Sequence, residues 1–209
     1  MTPETEDLIR SATRWAAVPL VPEVTLLTAA EPFGLWDRTA CDAPPFWAFP
    51  WAGGQGLARY ILDHPRTVAG RAVLDVASGS GLVAIAAAKA GARSVQAGDI
   101  DDNALAVIAL NAAANGVPAI LPRRLDLATD PGSVDLVLAG DVFYQRDLAT
   151  TALRFLRAAR QHGADVLAAD PGRAFVPRES LTALATYRVP VLTVLEDVPV
   201  KEVTVYRLR

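Results

Sequence analysis

The 209 residues are 52% hydrophobic, enough for one α/β domain with an ample core and too few for a second full domain. With 20 Lys and Arg against 23 Asp and Glu, the net charge of −3 argues against a nucleic-acid backbone as the main partner. Cys41 is the only cysteine, which excludes an intramolecular disulfide and a cysteine-rich metal site and suits a reducing, cytoplasmic setting.

In chain order, the acidic start Met-Thr-Pro-Glu-Thr-Glu-Asp has no apolar core, so neither a secretory signal nor a transit peptide is expected. No apolar run reaches membrane-spanning length without a charge or a proline, so no membrane contact is expected. Prolines 19, 22, 32, 44, 45 and 50 break residues 1–70 into short pieces, which read as a cover layer on a core formed by residues 71–209. Within that layer, Phe46-Trp47-Ala48-Phe49-Pro50-Trp51-Ala52-Gly53-Gly54-Gln55-Gly56 sets two of the four tryptophans beside a glycine-rich turn. Its aromatics suit either a covered sheet edge or the wall of a pocket for a sulfonium or alkylated ammonium. Residues 57–62 read as a short helix closed by Asp63-His64-Pro65, and His64 and His162 as turn or surface residues.

Residues 73–84, Val-Leu-Asp-Val-Ala-Ser-Gly-Ser-Gly-Leu-Val-Ala, open a βαβ unit: a strand over 73–76, a small-residue turn over 77–81, and a helix over 82–90. A ligand is expected at that turn, where the backbone is accessible and the first N–H groups of the helix lack intrahelical partners. Gly79, Gly81 and Ala84 also fit the dinucleotide pattern G-x-G-x-x-A. Asp75 bears on the choice, because a carboxylate beside the turn repels a pyrophosphate and attracts an ammonium. S-adenosylmethionine carries an ammonium and no phosphate.

A second strand is expected over 94–98 and a helix over 104–115, with Asp99 placed to accept ribose hydroxyl protons and Asp101 and Asp102 as helix caps. A third strand over 120–125 precedes Asp126, which suits either an adenine amino group or water. After a fourth strand over 134–139 come Asp141 and Tyr144, at the depth where a second substrate meets the cofactor; Asp141 also suits a simple helix N-cap. A helix over 147–161 carries Arg154, Arg157 and Arg160 along one solvated face. A fifth strand over 165–169 ends in the turn Asp170-Pro171-Gly172-Arg173. A helix is expected over 177–187, then two antiparallel strands over 189–195 and 200–208.

Taken together, the chain resembles a class I S-adenosylmethionine-dependent methyltransferase, and more narrowly the group of electron-transfer flavoprotein β-subunit lysine methyltransferases. The narrow resemblance rests on Pro22-Glu23-Val24, residues 46–57, residues 74–81, Asp141-Val142-Phe143-Tyr144 and Asp170-Pro171-Gly172-Arg173. It implies an α/β, Rossmann-like, single-domain fold with a seven-stranded sheet in the order 3-2-1-4-5-7-6. It also implies methyl transfer from S-adenosyl-L-methionine to a lysine nitrogen, with S-adenosyl-L-homocysteine as product, no metal, and the electron-transfer flavoprotein β subunit as protein substrate. Cofactor contacts are then expected from Trp51, Asp75, Ala77, Gly79, Gly81, Asp99, Ile100 and Asp126. Asp141 and Tyr144 are expected to receive the amine. Ala77 departs from the broad pattern, where a glycine is usual. A small-molecule N-methyltransferase of nicotinamide type and, in another class, an NAD-linked oxidoreductase stand as alternatives.

Overall fold

The computed structural model describes residues 3–30, 35, 45–193, 196 and 198–209; Pro32, Cys41, Pro44 and the last residues of the strand expected over 189–195 lie outside them. The chain opens with helix α1 (Pro3–Ala12) and an antiparallel hairpin of β1 (Thr13–Val18) and β2 (Val21–Ala29). A short 3₁₀ turn (Phe46–Ala48) leads to α2 (Ala52–Asp63). The core follows: β3 (Ala72–Val76), α3 (Leu82–Lys89), β4 (Ser94–Asp99), α4 (Asp102–Ala114), β5 (Leu121–Arg124), β6 (Leu136–Gly140), α5 (Arg146–Gln161), β7 (Asp165–Asp170), β8 (Leu181–Pro190) and β9 (Val200–Leu208).

β3 to β9 form one sheet in the order β5-β4-β3-β6-β7-β9-β8, with β9 antiparallel to both of its neighbours. Numbered within that sheet, this is 3-2-1-4-5-7-6, as expected. The first five of these strands are parallel, so their carboxyl ends share one edge, where open α/β sheets take their ligands.

The central strands are short apolar runs because both faces are covered. On one face Val73, Leu136 and Leu138 pack with Ala58 and Ile61 of α2 and Ile85 of α3; on the other Leu74, Val76 and Val137 pack against Ala152, Phe155 and Leu156 of α5. α5 presents Ala149, Ala152, Phe155, Leu156 and Ala159 to the sheet at helical spacing and leaves Arg154, Arg157 and Arg160 exposed, the solvated stripe expected. The hairpin is braced to α4 by side-chain amides: Asn111 Oδ1 accepts from the Leu27 N–H at 2.9 Å, and Asn115 Oδ1 from the Thr25 N–H at 3.1 Å.

Two expectations give way. The helix expected over 177–187 is a 3₁₀ turn (Arg178–Ser180) followed by β8, so the first strand of the terminal pair begins at Leu181 rather than 189. The local preference of Leu-Thr-Ala-Leu-Ala for helix is overridden by pairing with β9 along its whole length, through a bulge between Ala183 and Ala185. Second, the helix expected over 57–62 starts at Ala52 and takes in Gly53, Gly54 and Gly56. Those glycines are not a turn; they let α2 lie against the sheet, since a Cβ on Gly56 would stand 2.6 Å from Val203 Cγ1.

Candidate active site

The β3–α3 loop puts three residues in the left-handed region: Ala77 (φ 49°), Gly79 (φ 54°) and Gly81 (φ 81°). At Ala77, where the broad pattern has glycine, that backbone costs an L side chain roughly 1 kcal/mol. Asp75, 1% exposed, points from β3 toward α3. Its Oδ2 accepts from the Ser78 hydroxyl and from the Ala84 N–H at 3.1 Å. One of the N-terminal N–H groups expected to face a ligand is thus satisfied within the protein, which leaves less for a pyrophosphate. Burial pushes the Asp75 carboxyl up to about 7 against the pull of those two hydrogen bonds.

Asp99, at the end of β4, crosses to the same loop: Oδ2 accepts from the Gly79 N–H at 2.8 Å and Oδ1 from the Asp101 N–H at 3.0 Å. Burial raises its pKa as well. Asp101 caps α4 by accepting from the Asn103 N–H at 2.8 Å, the capping role expected of it.

Asp141 follows β6 with φ 55°, a conformation that Asp tolerates better than most residues. It caps a helix, though not the one that follows it: Oδ2 accepts from the Gly54 N–H at 2.8 Å, in the first turn of α2. This approach accounts for the glycines. A Cβ on Gly53 would stand 2.6 Å from Asp141 Oδ2 and from the Ala169 carbonyl oxygen, and one on Gly140 would stand 3.0 Å from the Gly54 backbone. Asp141 Oδ1 is buried without a hydrogen-bond partner, 4.0 Å from Arg173 Nη2. Burial pushes this carboxyl up to about 6, opposed by the α2 N–H groups and by Arg173.

These carboxylates surround a cavity of about 830 Å³ at the carboxyl edge of the sheet. Trp51, Asp75, Ala77, Gly79, Asp99, Ile100, Asp126, Asp141 and Tyr144 all line it. Gly81 does not; it is the N-cap of α3 and packs on α4, where a Cβ would stand 3.3 Å from Ile108 Cγ1. Asp126 is exposed and closes its own turn onto the Ala128 N–H at 2.8 Å. The aromatic segment walls one side: the Phe46 ring centroid lies 5.7 Å from that of Trp51 and 5.5 Å from that of Tyr144, and Trp51 Nε1 donates to the Phe46 carbonyl at 2.8 Å. Phe46, Ser78, Leu148, Thr151 and Arg173 line the cavity without having been singled out from the sequence. Of these, three had a signal: Phe46 in the aromatic segment, Ser78 in the small-residue turn, and Arg173 in a tight turn on the ligand side of the sheet; Leu148 and Thr151 had none.

The mouse electron transfer flavoprotein beta subunit lysine methyltransferase is 39% identical over 187 residues, which span 85% of this chain and 73% of the mouse protein. The chain belongs to this methyltransferase family. The zebrafish (Danio rerio) member is 38% identical over 182 residues, 82% of this chain and 70% of that protein. The family model of ribosomal protein L11 methyltransferase (PrmA) matches residues 60–142, from the end of α2 to Val142. Among solved structures, magnesium protoporphyrin IX methyltransferase from Synechocystis, with bound SAM, has a TM-score of 0.55 at 15% identity, over 86% of this chain and 92% of that one. That likeness is one of fold. The chain is therefore a methyltransferase of the class I, seven-stranded type, and its large carboxylate-lined cavity sits at the sheet edge where such a fold takes ligands.

Proposed function

We propose that this methyltransferase binds S-adenosyl-L-methionine in the cavity beneath Trp51 and methylates a lysine side chain of the electron transfer flavoprotein β subunit. The observation that carries the reading is Asp141: a nearly buried carboxylate at the cavity wall, fixed through Oδ2 by α2, with Oδ1 left unpaired. An unpaired carboxylate oxygen in a largely apolar pocket is costly unless a cationic or N–H donor completes it, and a lysine amine is such a donor.

The residues present fit the cofactor. Asp99 would take the ribose hydroxyls with the lone pairs left over from its two backbone contacts, and Asp75, with Oδ2 committed, would meet the methionine ammonium through Oδ1. Gly79 and Ala77 would lie against the cofactor, with Gly81 acting indirectly by closing the loop on α4; Ile100 and Asp126 would flank the adenine. When bound, S-adenosylmethionine supplies a methyl group on a sulfonium, activated for in-line attack by nitrogen.

The protein's own work is to orient and desolvate the amine. Asp141 Oδ1 would accept a hydrogen bond from it, while Tyr144, Trp51 and Phe46 form a narrow aromatic wall that excludes water. The proton can leave to water at the open mouth, where Tyr144 is 40% exposed. The test is incubation of the purified chain with methyl-labelled cofactor and either the flavoprotein β subunit or nicotinamide. The reading expects label on a lysine Nζ of the β subunit; label on nicotinamide alone would replace it with the small-molecule activity.

A further inference from the structure

One wall of the cavity carries a chain of alternating charges beyond Asp141. β7 ends at Asp170, a fully buried carboxylate whose Oδ1 accepts the N–H groups of Gly172 and Arg173, both at 2.7 Å. That turn sets the Arg173 side chain against the cavity. Arg173 Nη2 donates to Glu196 Oε1 at 3.1 Å, and Glu196, its side chain 8% exposed, meets Lys201 Nζ at 3.2 Å through Oε2. The same Nη2 stands 4.0 Å from Asp141 Oδ1. Asp141 Oδ1, Asp170 Oδ2 and Arg173 Nε are all buried without hydrogen-bond partners among the described residues, and all three belong to this one cluster.

A separation of 4.0 Å is close enough for the guanidinium to favour an ionised carboxylate and too long for a hydrogen bond that would use up its lone pairs. Glu196 competes for the same nitrogen: Nη2 is hydrogen-bonded to Glu196 Oε1 at 3.1 Å and so is held short of Asp141. A planar guanidinium free to close on Asp141 would pair with it and occupy the oxygen that the reading above leaves for the substrate. We propose that Arg173, anchored by Glu196, is a positioning residue for methyl transfer: it keeps Asp141 ionised and still unpaired, so that the incoming lysine nitrogen completes it. This rests on the reading of Asp141 as the acceptor for the amine.

Every charge around Asp141 bears on that role. Burial drives the carboxyl toward its neutral form, Asp170 pushes in the same direction, and the N–H groups of Gly54 and Gly53 on α2 and Arg173 oppose them. Tyr144, three residues on, is itself raised by burial and feels Asp99, Arg173 and Asp141, so the far carboxylate at β4 belongs to the same field. Glu196 and Lys201 stand behind Arg173. Arg173 is thus the cationic side chain that faces Asp141 directly. A protonated Asp141 would present a hydroxyl donor to the amine in place of an acceptor.

The test follows the Asp141 carboxyl by carbon-13 NMR in the substrate-free, full-length protein, assigned by its loss in Asp141→Asn. Alongside it, kcat/KM for the lysine substrate is measured against pH. Arg173→Met should raise the titration midpoint by about 1 pH unit or more. It should carry the low-pH limb of kcat/KM with it, so that a one-unit shift from about 6 lowers transfer about twofold at pH 7 and about tenfold at pH 5, with cofactor affinity and melting temperature near wild type. Arg173→Lys should restore the midpoint. Glu196→Gln should lower the midpoint and raise KM, as the guanidinium closes on Asp141. An unmoved midpoint in folded Arg173→Met overturns the proposal. So does equal loss of cofactor affinity and melting temperature in Arg173→Met and Arg173→Lys, which would make the residue a structural part of the turn. Full activity of Asp141→Asn would overturn the underlying reading instead, and is told apart because the titration is read without substrate.

Discussion

Gly53→Ala tests whether the glycines of α2 exist to admit Asp141. A Cβ there would stand 2.6 Å from Asp141 Oδ2 and 2.6 Å from the Ala169 carbonyl oxygen, about 0.8 Å short of the 3.4 Å at which ordinary contact begins. The carboxylate can swing aside, but the carbonyl belongs to β7 in the middle of the sheet, so the first turn of α2 must lift. Overpacking of this kind costs about 1 to 3 kcal/mol. Losing the charge-assisted bond from the Gly54 N–H adds about 1.5 to 3 kcal/mol. Against these stands about 1 kcal/mol of improved helix propensity, so a net loss of about 1.5 to 5 kcal/mol is expected. Gly54→Ala is the control: the nearest atoms to its Cβ are side-chain carbons of Leu82 and Val83 at 3.9 and 4.0 Å, so stability should hold or rise by up to about 1 kcal/mol. Urea unfolding of both variants, with methyl transfer measured on the same preparations, reads the difference. Equal stability of the two variants with full activity in Gly53→Ala would refute the account of this segment.

Asp99→Ala should weaken S-adenosylmethionine binding by roughly 1.5 to 3 kcal/mol, about ten- to a hundredfold by calorimetry, and unchanged affinity would place the ribose elsewhere. Because Asp99 also accepts the N–H groups of Gly79 and Asp101, the melting temperature should fall with it. Asp75 gives a pH signature: burial raises its pKa from 3.8 to about 7, so the native state keeps a proton that the unfolded chain has already released. Its contribution to stability is complete below about pH 4 and is lost as the pH rises through about 7. Asp75→Asn should therefore gain stability relative to wild type between pH 5 and pH 8 in urea titrations; a relative loss would mean that the native carboxylate is stabilised in its charged form.

The parts of the fold that were legible in the sequence are those whose causes are local. The β3–α3 loop, Asp75 and Asp99 follow from spacing within one βα unit, and the buried strands follow from unbroken apolar runs. α2 was hidden because it opens with Gly53, Gly54 and Gly56, residues that normally disfavour helix, and the reason for Gly53 and Gly56 lies in Asp141, Ala169 and Val203, far along the chain. β8 was hidden for the same kind of reason: its Leu and Ala content favours helix, and only the partner strand β9 decides otherwise. Gly81 matched a cofactor motif by position, but its lack of a side chain serves packing on Ile108. Arg173 sat in a recognisable turn, yet its function depends on Glu196, 23 residues later, and on Asp141 at the end of a different strand.

The most direct measurement is the paired determination of cofactor affinity and methyl transfer in Asp141→Asn. An Asn oxygen can still accept the Gly54 N–H, so α2 and the fold should persist, while the amide NH₂ would face the cavity as a donor where the amine needs an acceptor. The account predicts S-adenosylmethionine affinity close to wild type and transfer to the flavoprotein β subunit lower by on the order of a hundredfold, because the lost interaction acts on the reacting amine and not on the cofactor. Full transfer by Asp141→Asn at an unchanged melting temperature would contradict it.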